Sequence, residues 1–417
     1  MTIGLSRRSF LKSAAATGAA LSLGVRTTAA QEAARTVNVV GWNSPDHQEI
    51  LLNAGKELGI TVKYDVLPAA WNDVMQKITL WGQSGYDGVD ILFADDLIGG
   101  LWGMNGWADD LSGLDVSSKV QGDLVDNIAA LNSAAGGIYR QFFLLDAEPF
   151  YYNKKLVPTA PKTWDEMTTV AQSVTGGDVW GWRPLGGNGH AFNTVLLMLN
   201  QAGADLESLS DPETLAALQY MYDWVQTSKI TPPSTVNEDN TTVEALAAAG
   251  KAAMWWSYGG SLKNVPSIDG STLSIDDIGV ARYPAGPASD IGLVHGWGFL
   301  SPKASANKAA AHELLNYLGQ PEQVRNLVLK TNAPPPLKSL LADPEIQAKV
   351  PLIMANGGWE NTIRGAKFRE PIVNHRQVTQ LWTMIDKLGA YILSGQKSPA
   401  DAQAWAMSEY QTIKDEA

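Results

Sequence analysis

Aromatic side chains stand next to glycines in the stretch KAAMWWSYGG, which runs from Lys251 to Gly260. Glycine lets a ligand approach the backbone closely, and flat rings with a polar edge suit ligands that are apolar on one face and hydroxylated at the rim. Alternation along a strand sends Trp255 and Trp256 to opposite faces, so at most one of them can face a ligand directly. Tyr258, at the strand end, is therefore the strongest candidate for stacking, while the two tryptophans suit a buried core equally well.

The sequence lacks the patterns of several common catalytic sites. It contains no Gly-x-Ser-x-Gly elbow, Walker A loop or Gly-x-Gly-x-x-Gly loop. Its 5 histidines are scattered, with no i, i+4 pair suited to zinc. A glycosidase needs two carboxyl groups about 5–10 Å apart. The adjacent acids Asp95 and Asp96 diverge, so only Asp96 with Glu148 could form such a pair. We therefore expect a binding protein that uses no cofactor or metal, with an exported glycosidase as an alternative.

The N-terminus has the organisation of an export signal. The basic stretch SRRSFLK, from Ser6 to Lys12, precedes a short apolar run, Ala14 to Val25, and small residues up to Ala30. The apolar run is too short and too mild to span a membrane. The paired arginines are typical of the twin-arginine route, which exports folded proteins. We expect residues 1–30 to be a cleaved twin-arginine signal peptide and the mature protein to be soluble in the periplasm.

Composition bounds the remaining possibilities. The absence of cysteine excludes disulfides, thiolate metal sites, a cysteine nucleophile and a lipoprotein anchor. A chain of 417 residues exceeds a single core, so two domains are expected. Without the four basic residues of the signal, the chain has 27 basic and 43 acidic residues, a net charge of −16. This charge disfavours nucleic acid and anionic membranes as partners. The 15 tryptophans outnumber the 12 tyrosines, which is typical of aromatic cores, interfaces or ligand stacking.

Apolar periodicity predicts an α/β protein with a parallel sheet wound by helices, which binds ligands at the carboxyl ends of its strands. Later segments are more helical, with a capping box at Thr163 and Glu166 and a helix starting after Ser398. The predicted N-terminal elements are strand Thr36–Val40, helix Gln48–Leu58, strand Ile60–Val66, helix Trp71–Trp81 and strand Val89–Ala94.

Five segments, in order along most of the mature chain, resemble the family 1 extracellular solute-binding proteins of ABC importers, the group that contains maltose-binding protein. They are the strand and acids Val89–Asp96, the YYNK element within Phe150–Lys155, the helix start Pro161–Met167, the GKAAM stretch Gly250–Met254 and the stretch Gly296–Lys308. The resemblance implies two α/β lobes, each a mostly parallel sheet flanked by helices, that close around a ligand. It also implies delivery of the ligand to the membrane permease of an ABC importer.

The resemblance further implies three chain crossings between the lobes. We place them near Asp146, near Val294 and from Asn332 to the proline run that ends at Pro336. Lobe one would then comprise residues 36–147 and 295–333, and lobe two residues 148–294 and 334–417.

Candidate ligand-binding residues come from predicted strand ends, from the crossings and from the resemblance. One of Asp95 and Asp96 should reach the cleft while the other caps the next helix. Asp46 could instead cap its own helix, and Trp382 could be a core residue. The full set is Trp42, Asp46, His47, Asp95, Asp96, Glu148, His190, Phe192, Tyr258, Trp297, Arg369 and Trp382.

The expected ligand is a neutral mono- or disaccharide or a polyol, bound by a monomeric protein. Leu97 stands where the maltose proteins carry a basic residue, so a ligand different from theirs is expected. Two charged classes remain open. Acids with aromatic rings suit a polyamine or quaternary amine, whereas Arg369 with His47 and His190 could hold a sulfonated or uronic sugar.

Overall fold

The computed structural model describes residues 35–68, 70–350, 363, 366–369 and 372–416. The predicted signal peptide, residues 1–30, lies outside the described residues. Within the described ranges, no helix has the length and apolar character needed to cross a membrane.

Strands and helices alternate in the first part of the described chain, and helices dominate the last part. The strands are β1 (Thr36–Gly41), β2 (Thr61–Val66), β3 (Ile91–Asp95), β4 (Gln141–Glu148), β5 (Phe150–Asn153), β6 (Trp180–Arg183), β7 (Ala252–Trp256), β8 (Ile278–Ala281) and β9 (Leu293–Leu300). The helices are α1 (Pro45–Leu58), α2 (Trp71–Ser84), α3 (Asp96–Met104), α4 (Asp115–Val120), α5 (Asp126–Ala134), α6 (Trp164–Val174), α7 (Ala191–Ala202), α8 (Pro212–Gln226), α9 (Asn240–Ala248), α10 (Ser261–Ser267), α11 (Lys308–Leu318), α12 (Pro321–Thr331), α13 (Lys338–Leu341), α14 (Pro344–Lys349), α15 (Val378–Ser394) and α16 (Pro399–Asp415).

The local signals explain where several helices begin and end. Gly59 and Gly85 take up left-handed conformations, with φ of 63° and 62°, and so end α1 and α2. The Thr163 hydroxyl accepts from the Glu166 N–H at 3.2 Å and caps α6. The Glu166 carboxylate accepts from Lys162 N–H rather than from Thr163 N–H, so only half of the predicted capping box forms.

The strands form two mixed sheets. The first sheet has the order β2-β1-β3-β9-β4, and the second has the order β6-β7-β5-β8. β1 runs parallel to β2 and β3, but β9 runs antiparallel to both of its neighbours. In the second sheet β6 and β7 are parallel, whereas β5 is antiparallel to β7 and β8. The α/β class is as predicted, but the expectation of mostly parallel sheets is wrong.

The chain passes between the sheets first at Pro149, between β4 and β5, and again between Ala281 and Leu293. The third passage comes later than predicted. Pro334 O accepts from Leu145 N–H at 2.7 Å, and Pro336 O accepts from Val125 N–H at 3.0 Å. The proline run is therefore bonded to the first sheet and its flanking helix and is not a free linker.

Residues after the proline run also pack on the first lobe. Leu293 and Lys367 form a parallel bridge, and Asn374 hydrogen-bonds Arg140 at 2.8 Å. From Val378 onward, α15 packs against α7 and α8 of the second lobe. The predicted assignment of all of residues 334–417 to lobe two is corrected accordingly, and we place the third passage between Asn374 and Val378.

Of the seven buried tryptophans among the described residues, all but Trp102 lie in the second lobe. Trp255 and Trp256 point to opposite faces of β7, and both are almost fully buried. Tyr151 stacks on Trp255 with ring centroids 5.6 Å apart. These rings stabilise the second lobe, and the end of the KAAMWWSYGG stretch, Tyr258 to Gly260, lines the cleft.

Candidate functional site

The site is a cleft between the two sheets, where the carboxyl ends of several strands and the first turns of several helices meet. A cavity of about 700 Å³ takes Trp42 from the end of β1 and Asp95 from the end of β3. The second lobe contributes Tyr258, which follows β7, and His190, which precedes α7. A neighbouring cavity of about 420 Å³ shares the wall residue Asp146 with the larger one. Together the cavities form one cleft lined from both lobes.

Tryptophans form one wall of the larger cavity. Trp42 and Trp71 stack with their ring centroids 5.7 Å apart and their planes 8° apart. Trp297 packs edge-on against Trp42 at 5.7 Å. The indole N–H groups of Trp42 and Trp71 are buried and have no hydrogen-bond partner among the described residues. This wall therefore offers a flat aromatic surface to the cavity.

An ion-pair cluster closes the end of β3. Arg369 Nη2 lies 2.8 Å from Asp95 Oδ2 and also contacts Asp96. Asp95 caps α3, since its Oδ1 accepts from Ile98 N–H at 3.1 Å. The guanidinium of Arg369 also lies over the ring of Phe192, 5.6 Å from its centroid. Asp95 thus both lines the cavity and caps the helix, whereas the expectation assigned these roles to two different acids.

His295 is a buried cation between two acids of β4. Its Nδ1 lies 3.1 Å from Glu148 Oε1, and its Nε2 lies 3.6 Å from Asp146 Oδ2. Burial disfavours the charged imidazole, but the hydrogen bond to Glu148 and the charge of Asp146 outweigh it and raise the pKa of His295 to about 9. His295 is therefore protonated at neutral pH and offsets charge at the base of the cleft.

The second lobe contributes a neutral polar wall. The Tyr258 hydroxyl and His190 Nδ1 are 2.6 Å apart. Burial lowers the pKa of His190 to about 4, although the nearby charge of Asp239 opposes the shift. Burial, together with the charge of Glu148, raises the pKa of Tyr258. At neutral pH both rings are uncharged, so they can exchange hydrogen bonds with a ligand without contributing charge.

The structure brings most of the sequence-predicted residues to the cleft. Asp46 and His47 line the smaller cavity, where His47 packs edge-on against Phe93 with centroids 4.9 Å apart. Burial lowers the pKa of His47 to about 4, against the opposing charge of Asp46. The predicted residues that line the larger cavity are Trp42, Asp95, His190, Phe192, Tyr258, Trp297 and Arg369.

Three predicted residues are buried behind the cleft wall instead of lining it. Asp96 is fully buried because its carboxylate contacts Arg369 and the Leu97 N–H. Glu148 is buried against His295. Trp382 packs edge-on against Trp71 and Phe192, with centroids 6.4 Å and 6.0 Å away. Each therefore positions a lining residue.

Other lining residues were not among the predictions. His295 could have been found from Trp297, because residues two apart on a strand share a face. Asp146 pairs with His295 in the β4–β9 ladder, but that pairing requires knowledge of the strand register. Trp71 begins α2 and lines the larger cavity. The other polar residues missed in the larger cavity are Asn72, Asn188, Asp239, Asn240 and Thr241.

Solved structures of similar fold are two-lobed solute-binding proteins. The maltose-bound MalE3 of T. maritima superposes with a TM-score of 0.79 at 21% identity, covering 91% of this chain and 99% of that one. A ribitol complex of an ABC transporter solute-binding protein from Agrobacterium radiobacter K84 gives a TM-score of 0.76 at 18% identity, covering 91% and 98%. These likenesses establish the two-lobed fold.

Sequence comparisons identify the family. A probable ABC transporter-binding protein of Deinococcus radiodurans is 22% identical over 295 residues, covering 65% of this chain and 68% of that protein. Residues 4–24 match the twin-arginine translocation pathway signal sequence, which indicates export to the periplasm. Residues 53–353 match the family model described as bacterial extracellular solute-binding protein. The chain belongs to the bacterial extracellular solute-binding protein family.

Proposed function

We propose that this protein captures a neutral sugar or polyol in the interlobe cleft and delivers it, as a monomer, to the membrane permease of an ABC importer. The observation that carries the proposal is a cleft with aromatic walls in which the acids Asp95 and Asp146 already have cationic partners. The same fold holds maltose in the T. maritima protein and ribitol in the Agrobacterium protein.

The aromatic wall of the cleft matches the shape of a sugar ring. A sugar ring presents C–H groups on one face and hydroxyls around its rim. The stacked Trp42–Trp71 pair offers a flat surface for the C–H face. Tyr258 and His190 add an uncharged donor–acceptor pair from the opposite lobe.

Two acids that line the larger cavity have cationic partners inside the protein. Asp95 is paired with Arg369 at 2.8 Å. Asp146 faces His295 and accepts a backbone N–H. Asp239 caps α9 by accepting from Thr242 N–H at 2.9 Å, and its partners Thr242 and Asn188 are uncharged. A charged ligand would compete with the cationic partners of Asp95 and Asp146, whereas a neutral polyhydroxy ligand can add hydrogen bonds to the acids. These pairings favour a neutral ligand, and the charge of Asp239 makes an amine the second candidate.

The arrangement of the carboxyl groups favours binding without catalysis. The acid pair that a glycosidase would need, Asp96 with Glu148, is committed to Arg369 and His295 below the cleft surface. We therefore infer that a bound oligosaccharide is not hydrolysed. Chromatography after prolonged incubation should recover it intact, and the appearance of shorter sugars would overturn this part of the proposal.

The test is a thermal-shift screen of the mature protein with maltose, ribitol, glucuronic acid and spermidine. A ligand present at 100 times its dissociation constant stabilises the folded state by about 2.7 kcal/mol. We expect a neutral member of the panel to raise the melting temperature, with an affinity that changes little with salt because no net charge is buried. Stabilisation by glucuronic acid or spermidine alone, lost at high salt, would instead identify a charged-solute protein.

A further inference from the structure

Asp146 is the residue at which the two lobes are joined beside the ligand cavity. It lies on β4 of the first sheet and lines both cavities. Its Oδ1 accepts from the N–H of Gly259, at 2.8 Å. Gly259 follows β7 of the second sheet, so this hydrogen bond crosses from one lobe to the other. The acceptor is a carboxylate, which makes the bond stronger than one between neutral groups.

The other oxygen of Asp146 is held from below by His295. His295 Nε2 lies 3.6 Å from Asp146 Oδ2, and its Nδ1 is anchored on Glu148 at 3.1 Å. The His295 ring also packs edge-on against Tyr258, with centroids 5.5 Å apart. The imidazole thus contacts both the acceptor of the interlobe bond and the residue that precedes its donor.

The donor side is equally fixed within the second lobe. The Tyr151 hydroxyl on β5 lies 3.0 Å from the carbonyl oxygen of Tyr258 and 3.2 Å from that of Gly259, so it donates to this turn. The Gly259 N–H therefore belongs to a turn that is held within the second lobe. A movement that separates this turn from β4 breaks the Asp146–Gly259 hydrogen bond.

We infer that Asp146 and His295 form an interlobe latch, in which His295 positions the Asp146 carboxylate to hold Gly259 and so stabilises the arrangement of the lobes seen here. The role of the cleft as a ligand site rests on the proposed function, but the latch itself acts in the ligand-free protein.

The strength of the latch should depend on pH through the protonation of His295. His295 stays protonated up to its raised pKa of about 9, which is supported by both acids of β4. Burial raises the pKa of Asp146 and of Glu148, against the opposing effect of His295. As the pH rises through about 9, the imidazolium is lost and the two acids of β4 face each other without a cation, so the latch weakens. The other titratable groups that face the pair are Asp95 from β3, Tyr258 after β7, Tyr151 from β5, Tyr283 after β8 and Glu244 from α9.

The experiment measures lobe separation without ligand. The chain has no cysteine, so Leu80→Cys on α2 and Ala245→Cys on α9, both exposed, place one spin label on each lobe. Double electron–electron resonance between the two spin labels then gives the distribution of interlobe distances. We expect Asp146→Ala to shift the ratio of compact to extended molecules about tenfold or more toward the extended form, as loss of a hydrogen bond to a charged acceptor would. A distribution identical to that of the unsubstituted protein at pH 7 would overturn the latch.

The pH dependence of the compact population distinguishes a positioning role of His295 from a general loss of stability. In the unsubstituted protein the compact population should fall as the pH rises through about 9. His295→Gln should remove that step, because glutamine can hydrogen-bond both acids but does not titrate. Persistence of the step in His295→Gln would overturn the role of His295. If circular dichroism shows that Asp146→Ala does not fold, the pH profiles of the unsubstituted protein and of His295→Gln still test the latch.

Asp46→Ala is the matched control. Asp46 is an acid in the wall of the smaller cavity, and the structure records no interlobe hydrogen bond from it among the described residues. Its removal should leave the distance distribution unchanged. An equal response to Asp46→Ala would mean that any loss of charge near the cleft opens it, which contradicts a specific latch. Because no ligand is used, the result stands apart from the sugar-binding screen.

Discussion

Adjacent acids at the end of β3 have different roles because of one distant residue. Local sequence places Asp95 and Asp96 at a strand end, and that much was predicted. Which of them faces the cleft depends on Arg369, which lies more than 270 positions further along the chain and contacts both carboxylates. No local pattern reports such a contact. Residue types and strand ends therefore predicted which residues lie near the site. The ion pairs with Arg369, which only the tertiary structure shows, determine which of the two acids lines the cavity.

Asp96→Ala should act on stability and not on ligand affinity. The substitution removes one of the two carboxylates that contact Arg369 in a buried ion-pair cluster, and Asp95 remains as its partner. The expected loss is about 1.5–3 kcal/mol in the free energy of unfolding, measured by urea denaturation. The control Asp46→Ala removes a partly exposed acid and should change it by less than about 0.5 kcal/mol. Equal stability of the two variants would contradict the buried role of Asp96.

Trp71→Ala and Trp256→Ala should distinguish a residue that contacts the ligand from one that packs in the core. Trp71 lines the cavity and stacks on Trp42, so its loss should weaken binding by about 0.5–1.5 kcal/mol beyond the area lost. Trp256 is core, so its removal should cost about 3–5 kcal/mol of stability with little change in affinity. Calorimetry with a ligand from the thermal-shift panel and melting curves on both variants test this. Unchanged affinity in Trp71→Ala would exclude it from the site.

At the scale of elements, alternating strands and helices predicted the first half of the first lobe well. β1, α1, β2, α2 and β3 each overlap their predicted ranges. The mixed sheets were not predictable in the same way. β9 enters the first sheet between β3 and β4 from about 200 positions away, and its antiparallel direction depends on how the chain returns from the second lobe. The predicted third crossing at the proline run is corrected for a similar reason. The carbonyl groups of this run have partners that only the tertiary fold supplies.

Gly100→Ala tests the docking of α3 against the segment Ile372–Asn374. Helix propensity alone predicts a gain of about 1 kcal/mol from replacing a helical glycine. A Cβ at position 100 would, however, lie 1.5 Å from the carbonyl oxygen of Val373. The backbone must move, so we expect a net loss of about 1–3 kcal/mol, measured by thermal denaturation. Gly113→Ala, where a Cβ meets no atom within 4 Å, is the control and should be near neutral. A stabilised Gly100→Ala variant would show that this segment packs elsewhere.

At the scale of the whole molecule, the cleft is an interface within one chain. Thr79 on α2 and Thr379 on α15 have hydroxyl groups 3.4 Å apart, and the Trp71–Trp382 pair bridges the same gap. The Asp146–Gly259 hydrogen bond and contacts between α3 and α15 also cross between the lobes. Lobes that meet through an interface within one chain can move by hinge rotation.

Ligand binding should therefore make the protein more compact. A ligand that touches Trp42 in one lobe and Tyr258 in the other binds only when the lobes are close. At 100 times its dissociation constant, it should shift the ratio of closed to open molecules by about a hundredfold. Small-angle scattering of the mature protein with a ligand from the thermal-shift panel should then show a smaller radius of gyration. A panel member that causes no thermal shift serves as the control and should leave the scattering curve unchanged. A radius of gyration that stays constant at saturation would mean that the ligand contacts one lobe alone, and that the walls described here do not act together.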